Sequence, residues 1–164
     1  MDLGPYDLNV LLLTAIKSEI DSKAAYLKLG KRVKNALLKD KLDFLANEEE
    51  KHRAFIEDIY RNHFPGEKIK LPKETLVPLP EIQIFDENAP LSKVLRSAME
   101  AEQAASEFYK NLSQRFLDET KIKTTLLYFA NMELGHYKLL EIEKESMERF
   151  EEADVYWPMV HAGP

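Results

Sequence analysis

Ala46-Asn47-Glu48-Glu49-Glu50-Lys51-His52 and Ala130-Asn131-Met132-Glu133-Leu134-Gly135-His136 repeat one pattern, in which a glutamate is followed three places later by a histidine. Each copy lies on an apolar seam. Leu38, Leu42, Leu45, Glu49, His52 and Ile56 recur in alternating steps of four and three, as do Ile122, Leu126, Phe129, Glu133, His136 and Leu140. That spacing is the inward stripe of a packed α-helix. Glutamate and histidine therefore stand where the pattern asks for apolar side chains.

The repeat extends beyond these stretches. Leu12, Ala15, Glu19, Tyr26 and Leu29 match Leu95, Ala98, Glu102, Tyr109 and Leu112 at an offset of 83, while the later segments match at 84. One inserted residue accounts for the change, and the repeated unit is a helical hairpin. The patterns predict helices over Asp7–Leu29 with Gly30 as the stop, over Ala36–Tyr60, from Leu91 or Ser92 with Ser92 as N-cap, and over Lys121–Phe150. Asn62 to Pro90 carries six prolines or glycines (Pro65, Gly66, Pro72, Pro78, Pro80 and Pro90) and reads as a long crossover. The expected fold is all-α, a four-helix bundle of two hairpins joined by that crossover. Glu19 and Glu49 lie equally far from the first turn, and Glu102 and Glu133 equally far from the second, so each pair meets at one level.

The chain has 164 residues, 45% hydrophobic and 32% charged, which suits one domain with a real core. The domain is expected over 1–150, with 151–164 as a tail whose apolar Trp157–Val160 stretch docks on the bundle or a partner subunit. A net charge of -6 argues against nucleic acid and anionic membranes as partners. With no cysteine there is no thiolate chemistry, no disulfide and no Cys-held iron–sulfur centre, so any metal is bound through oxygen and nitrogen. No apolar run is long enough to span a bilayer, and no signal peptide is evident, so the expected location is cytoplasmic.

Four carboxylates buried together need neutralising, and two divalent cations would cancel their charge. A single Glu-x-x-His in a charged helix is usually a solvated face. Two in register on apolar seams, each with a partner glutamate, point to metal ligation by Glu19, Glu49, His52, Glu102, Glu133 and His136. Tyr26 and Tyr109, two turns beyond Glu19 and Glu102, are expected to be core aromatics, with hydroxyls available to steady a ligand carboxylate. Glu48, Glu50, Glu100 and Glu107 fall off the seams and read as solvated flanks. His63 and His161 read as ordinary loop and tail residues.

These two stretches, with Ala98-Met99-Glu100-Ala101-Glu102 and Phe108-Tyr109, resemble the rubrerythrin group of the ferritin-like superfamily over Asp7 to Glu145. The resemblance implies a ferritin-like bundle with a non-haem di-iron centre bridged by Glu49 and Glu133, with Glu19 and Glu102 terminal. It implies reduction of hydrogen peroxide or oxidation of ferrous iron by dioxygen, in the setting of oxidative stress. Rubrerythrins proper also carry a rubredoxin-like domain whose iron is held by cysteines, so an external donor such as a rubredoxin is expected here. They carry a further carboxylate where this chain has Ala105, which moves the site toward plainer ferritin-like centres. A homodimer is expected, with exchange of hairpins through the crossover left open. Manganese or zinc in place of iron, a manganese catalase-like activity, an iron-storage or delivery role, and a purely structural bundle are the alternatives.

Overall fold

The computed structural model describes residues 1–73, 77–83 and 89–156, with side chains as far as residue 151. Trp157–Val160 and His161, and with them the expected docking of the tail, lie outside the described residues. Four long helices make up the fold: α1 (Leu8–Arg32), α2 (Ala36–His63), α3 (Leu91–Leu112) and α4 (Thr120–Tyr156). A short 3-10 turn, Ser113–Arg115, sits between α3 and α4. There are no strands among the described residues.

Four expected boundaries shift, the first being the end of α2, which runs past Tyr60 to His63. Gly30 does not stop α1; it is a buried helical residue, and the helix runs on to Arg32. Its lack of a side chain faces α2, where an added Cβ would lie 3.7 Å from Asp43 Oδ1 and 4.0 Å from Leu42 Cβ. Ser92 is not the N-cap of α3. Pro90 holds that position, and Ser92 in the first turn donates its backbone N–H to Glu151 Oε1 at 3.2 Å. Helix α4 continues past Phe150 to Tyr156. Asn35 caps α2 through Oδ1, which accepts from the N–H groups of Leu37 (2.9 Å) and Leu38 (3.2 Å).

Contacts at the two ends fix the directions of the helices. At one end Met1 pairs through its amino terminus with Glu107 and accepts at its carbonyl from Asn111 near the end of α3, and His63 at the end of α2 meets Glu119 before α4. At the other end Arg32 of α1 donates to Ala89 O beside the start of α3, and Lys41 of α2 pairs with Glu143 of α4. Helices α1 and α3 are thus antiparallel, as are α2 and α4. Phe64 and Pro90 thus lie at opposite ends of the bundle, as the two ends of a crossover must.

The apolar interior is divided in two. One cluster gathers Leu11, Leu12, Ile16, Ile56, Phe108, Leu112, Leu126 and Phe129; the other gathers Tyr26, Leu29, Leu38, Leu42, Leu45, Leu95, Ala98 and Leu140. Between them in every helix lies one residue of a polar layer: Glu19, Glu49, Glu102 and Glu133, accompanied by the two histidines. All six are buried.

Candidate metal centre

The seam positions inferred from spacing deliver all six side chains to one place. Two overlapping groups form, Glu19, Glu49, His52 and Glu133, and Glu49, Glu102, Glu133 and His136. Within each, one ligand atom per residue lies within 4.8 Å of the others. Glu49 and Glu133 belong to both.

The two halves mirror one another. His52 Nδ1 faces Glu133 Oε1 at 2.8 Å, Glu49 Oε2 at 3.5 Å and Glu19 Oε2 at 3.8 Å. His136 Nδ1 faces Glu133 Oε2 at 2.9 Å, Glu102 Oε2 at 3.6 Å and Glu49 Oε1 at 3.7 Å. Each nitrogen thus looks into a nest of three carboxylates. Despite the short distances, His52 Nδ1, Glu49 Oε1 and Glu133 Oε1 are buried without a hydrogen-bond partner, the contacts being out of line. Orphaned lone pairs at the centre of a protein are costly. Here His52 Nδ1 and Glu133 Oε1 face one another in the first group and Glu49 Oε1 turns toward His136 in the second, where cations would find donors.

The electrostatics carry the same message. Burial first, then the charges of Glu49 and Glu133, push the Glu19 carboxyl well above its ordinary range. Glu49 is pushed up by burial and by Glu102 and Glu133, and Glu102 is raised to about 8 by burial and the Glu133 charge. Burial would raise Glu133 as well, but the two imidazoles beside it outweigh that and bring it to about 2. His136 is raised to about 10, its desolvation overcome by Glu102 and Glu133. His52 also rises, against its own burial, because of the Glu133 carboxylate. The cluster holds on to protons because four negative charges cannot share this space. Cations would do the same work.

Tyr26 and Tyr109 are core residues, and their hydroxyls reach carboxylates of the polar layer across the bundle rather than along their own helices. Tyr26 of α1 donates to Glu102 of α3, and Tyr109 of α3 donates to Glu19 of α1. Side chains lean toward the N-terminus of their helix. In antiparallel α1 and α3, each tyrosine and the opposite glutamate therefore lean toward each other. Burial and the adjoining carboxylates push both phenols well above their ordinary range, so they remain donors.

Two expectations about the surroundings need correction. Glu48 is buried, not solvated, and accepts from Lys51. His63 is no loop residue: it ends α2, its Nδ1 lies 2.9 Å from Ile59 O, and its Nε2 lies 2.9 Å from Glu119. The spacing of Glu48 and Lys51 along a helix signals their pairing, but nothing local predicts the partner of His63. Two aromatic rings flank the histidines; Phe129 stands on the α4 seam one turn before Glu133, whereas nothing in the spacing marks Phe44. Phe129 lies 4.1 Å from the His52 ring, and Phe44 meets His136 edge-on at 6.3 Å.

A bundle with one glutamate from each of two helices and Glu-x-x-His from each of the others defines the class of dinuclear carboxylate helical proteins. The chain belongs to the Rubrerythrin family, whose model matches residues 11–150. It is similar to a solved structure of a hypothetical protein from Pyrococcus furiosus, 34% identical, with a TM-score of 0.81, covering 91% of this chain and 95% of that one. No curated protein matches the chain. Among the described residues, no helix is long and apolar enough to cross a membrane.

Proposed function

We propose that the chain is a non-haem di-iron oxidoreductase that reduces hydrogen peroxide or dioxygen. The observation that carries this reading is the pair of buried four-residue groups sharing Glu49 and Glu133, in which Glu49 Oε1, Glu133 Oε1 and His52 Nδ1 have no hydrogen-bond partner. In this reading Glu49 and Glu133, which belong to both groups, would be shared between two iron ions, with Glu19 and His52 holding one and Glu102 and His136 the other. Two divalent cations balance the four carboxylates, so the layer becomes neutral as a whole.

A ferrous pair supplies the two electrons needed when peroxide takes up two protons and becomes two waters. The protein's share is positional. Tyr26 and Tyr109 hold the terminal carboxylates in place, and the apolar clusters on either side keep bulk water out of the layer. These residues contain no cysteine, so the electrons that restore the ferrous state come from outside them, from a donor such as a rubredoxin. The cytoplasm, and a homodimer that exchanges hairpins through the crossover, fit this reading.

A second reading, oxidation of ferrous iron by dioxygen for storage or delivery, draws support from Ala105. It is half-buried one turn after Glu102, where rubrerythrins carry a further carboxylate. Elemental analysis of the native protein should find two iron ions per chain, and stopped-flow mixing of the ferrous protein with peroxide should give ferric absorption within seconds. Manganese in place of iron would move the reading to a catalase-like enzyme. Oxidation no faster than that of free iron, or no bound metal, would sink the proposal.

A further inference from the structure

We propose that the two metal positions are unequal: the one held by Glu102 and His136 exchanges its ion with solvent past Phe44, while the one held by Glu19 and His52 is sealed behind Phe129. This rests on the di-iron reading and adds to it the position by which ions enter and leave.

The hairpin repeat exposes the inequality. At the offset of 84, His52 matches His136 and Leu45 matches Phe129, so the two histidines hold equivalent places on their helices. Their surroundings are not equivalent. The Phe129 ring lies against His52 with centroids 4.1 Å apart, Tyr109 meets the same imidazole at 6.1 Å, and Phe55 backs Phe129 at 5.3 Å. His52 is fully buried, and its far nitrogen, Nε2, reaches neither solvent nor a hydrogen-bond partner. A ring in a close-packed core moves only when its neighbours move with it.

His136 lacks that cover. Its helix-mate in the repeat is shielded by a phenyl ring, where His136 has only the smaller Leu45 at the matching place. The ring set against His136 from outside the layer is Phe44, edge-on at 6.3 Å and 49% exposed. An exposed side chain changes rotamer within picoseconds to nanoseconds. Phe44 can therefore swing away from His136 at little cost, and Phe129 cannot do so from His52.

The α1/α3 side does not offset this difference. Glu19 and Glu102 each accept from a buried tyrosine, and Ser22 and Ala105, one turn beyond them, are both half-buried. Residues 79–82 of the crossover add cover on the Glu19 side, where they share a small cavity with Ser18, Asp21 and Ser22. Charge does not separate the positions either. Beside Phe44, Lys41 and Lys51 are each paired with a carboxylate, Glu143 and Glu48, and Asp40 is exposed one turn before it. Cover alone distinguishes the two.

The test uses the whole chain loaded with Co2+, which takes the same oxygen and nitrogen ligands as Fe2+. Two release phases in solution would not suffice, because removing one ion leaves four carboxylates around the other. Crystals of the loaded protein are therefore treated briefly with a chelator, and the cobalt left at each position is read from anomalous diffraction. Cobalt should be lost first beside His136 and retained beside His52. In solution, the first ion should leave Phe44→Ala at least about tenfold faster than the parent, with equilibrium affinity and helix content unchanged. A residue that merely supported the fold would lower the affinity instead. Phe129→Leu, which copies Leu45, should speed the loss of cobalt beside His52. If that variant does not fold, the parent crystals and the exposed Phe44→Ala carry the comparison. Equal or reversed loss in the crystal, or release from Phe44→Ala no faster than from the parent, overturns the proposal. A chain that takes up fewer than two Co2+ defeats the di-iron reading beneath it, whereas one that holds two and releases them alike defeats the inequality alone.

Discussion

Tyr109 and Tyr26 show how a single hydroxyl supports the whole layer. A carboxylate reaching a metal from a helix has free torsions, and a phenol donating to one oxygen removes that freedom while leaving the other oxygen free to bind. The antiparallel course of α1 and α3 makes each hairpin hold the other's glutamate. Tyr109→Phe keeps the ring and deletes only the donation to Glu19. Its expected effect is a loss of metal affinity of roughly tenfold to a hundredfold, read by competition with a chelator, with helix content unchanged. Equal affinity in the variant would leave Tyr109 as packing only.

At the scale of the helix, capping and packing both decide where elements end. Asn35 starts α2 by accepting two of its orphan N–H groups. The end of α1 behaves differently. A glycine after an apolar pattern usually marks a C-terminal stop, yet Gly30 is a buried helical residue and α1 ends two residues later, at Arg32. No positive φ is needed there; among the described residues only Gly66, at 87°, adopts one. A Cβ at Gly30 would meet nothing closer than 3.7 Å, which is ordinary contact. Gly30→Ala is therefore expected to stabilise the protein by about 0.5–1 kcal/mol, raising the midpoint in a denaturant titration. A loss of stability would mean that α1 and α2 tolerate no methyl at their crossing.

For the whole molecule, the question is what holds two hairpins together across a polar layer. The apolar clusters do most of it, helped at one end by His63 and Glu119, which join α2 to the start of α4. Burial lowers the tendency of His63 to hold a proton, but Glu119 and the Ile59 carbonyl outweigh it and raise its pKa. Phe116 is a further neighbour, packed edge-on at 5.4 Å. Because the folded value exceeds the unfolded one, the stabilisation is fully present below about pH 6.5 and is lost as pH rises through the folded pKa. Thermal unfolding of Glu119→Gln should thus show a deficit of no more than about 1 kcal/mol at about pH 6 that disappears by about pH 9. A deficit independent of pH would assign the contact to packing.

Periodicity alone determined the helices, their pairing into hairpins and the level at which Glu19, Glu49, Glu102 and Glu133 meet. A polar residue on an apolar seam is visible in one dimension, because the seam's spacing is set by the helix itself. What the linear pattern could not contain are relations between helices far apart in sequence. The crossing of Tyr26 to Glu102, the closing of α2 over Gly30, the burial of Glu48, the pairing of His63 with Glu119 and the setting of Phe44 against His136 all depend on how the helices lie against one another. No spacing along the chain records that arrangement; only the packed tertiary structure decides it.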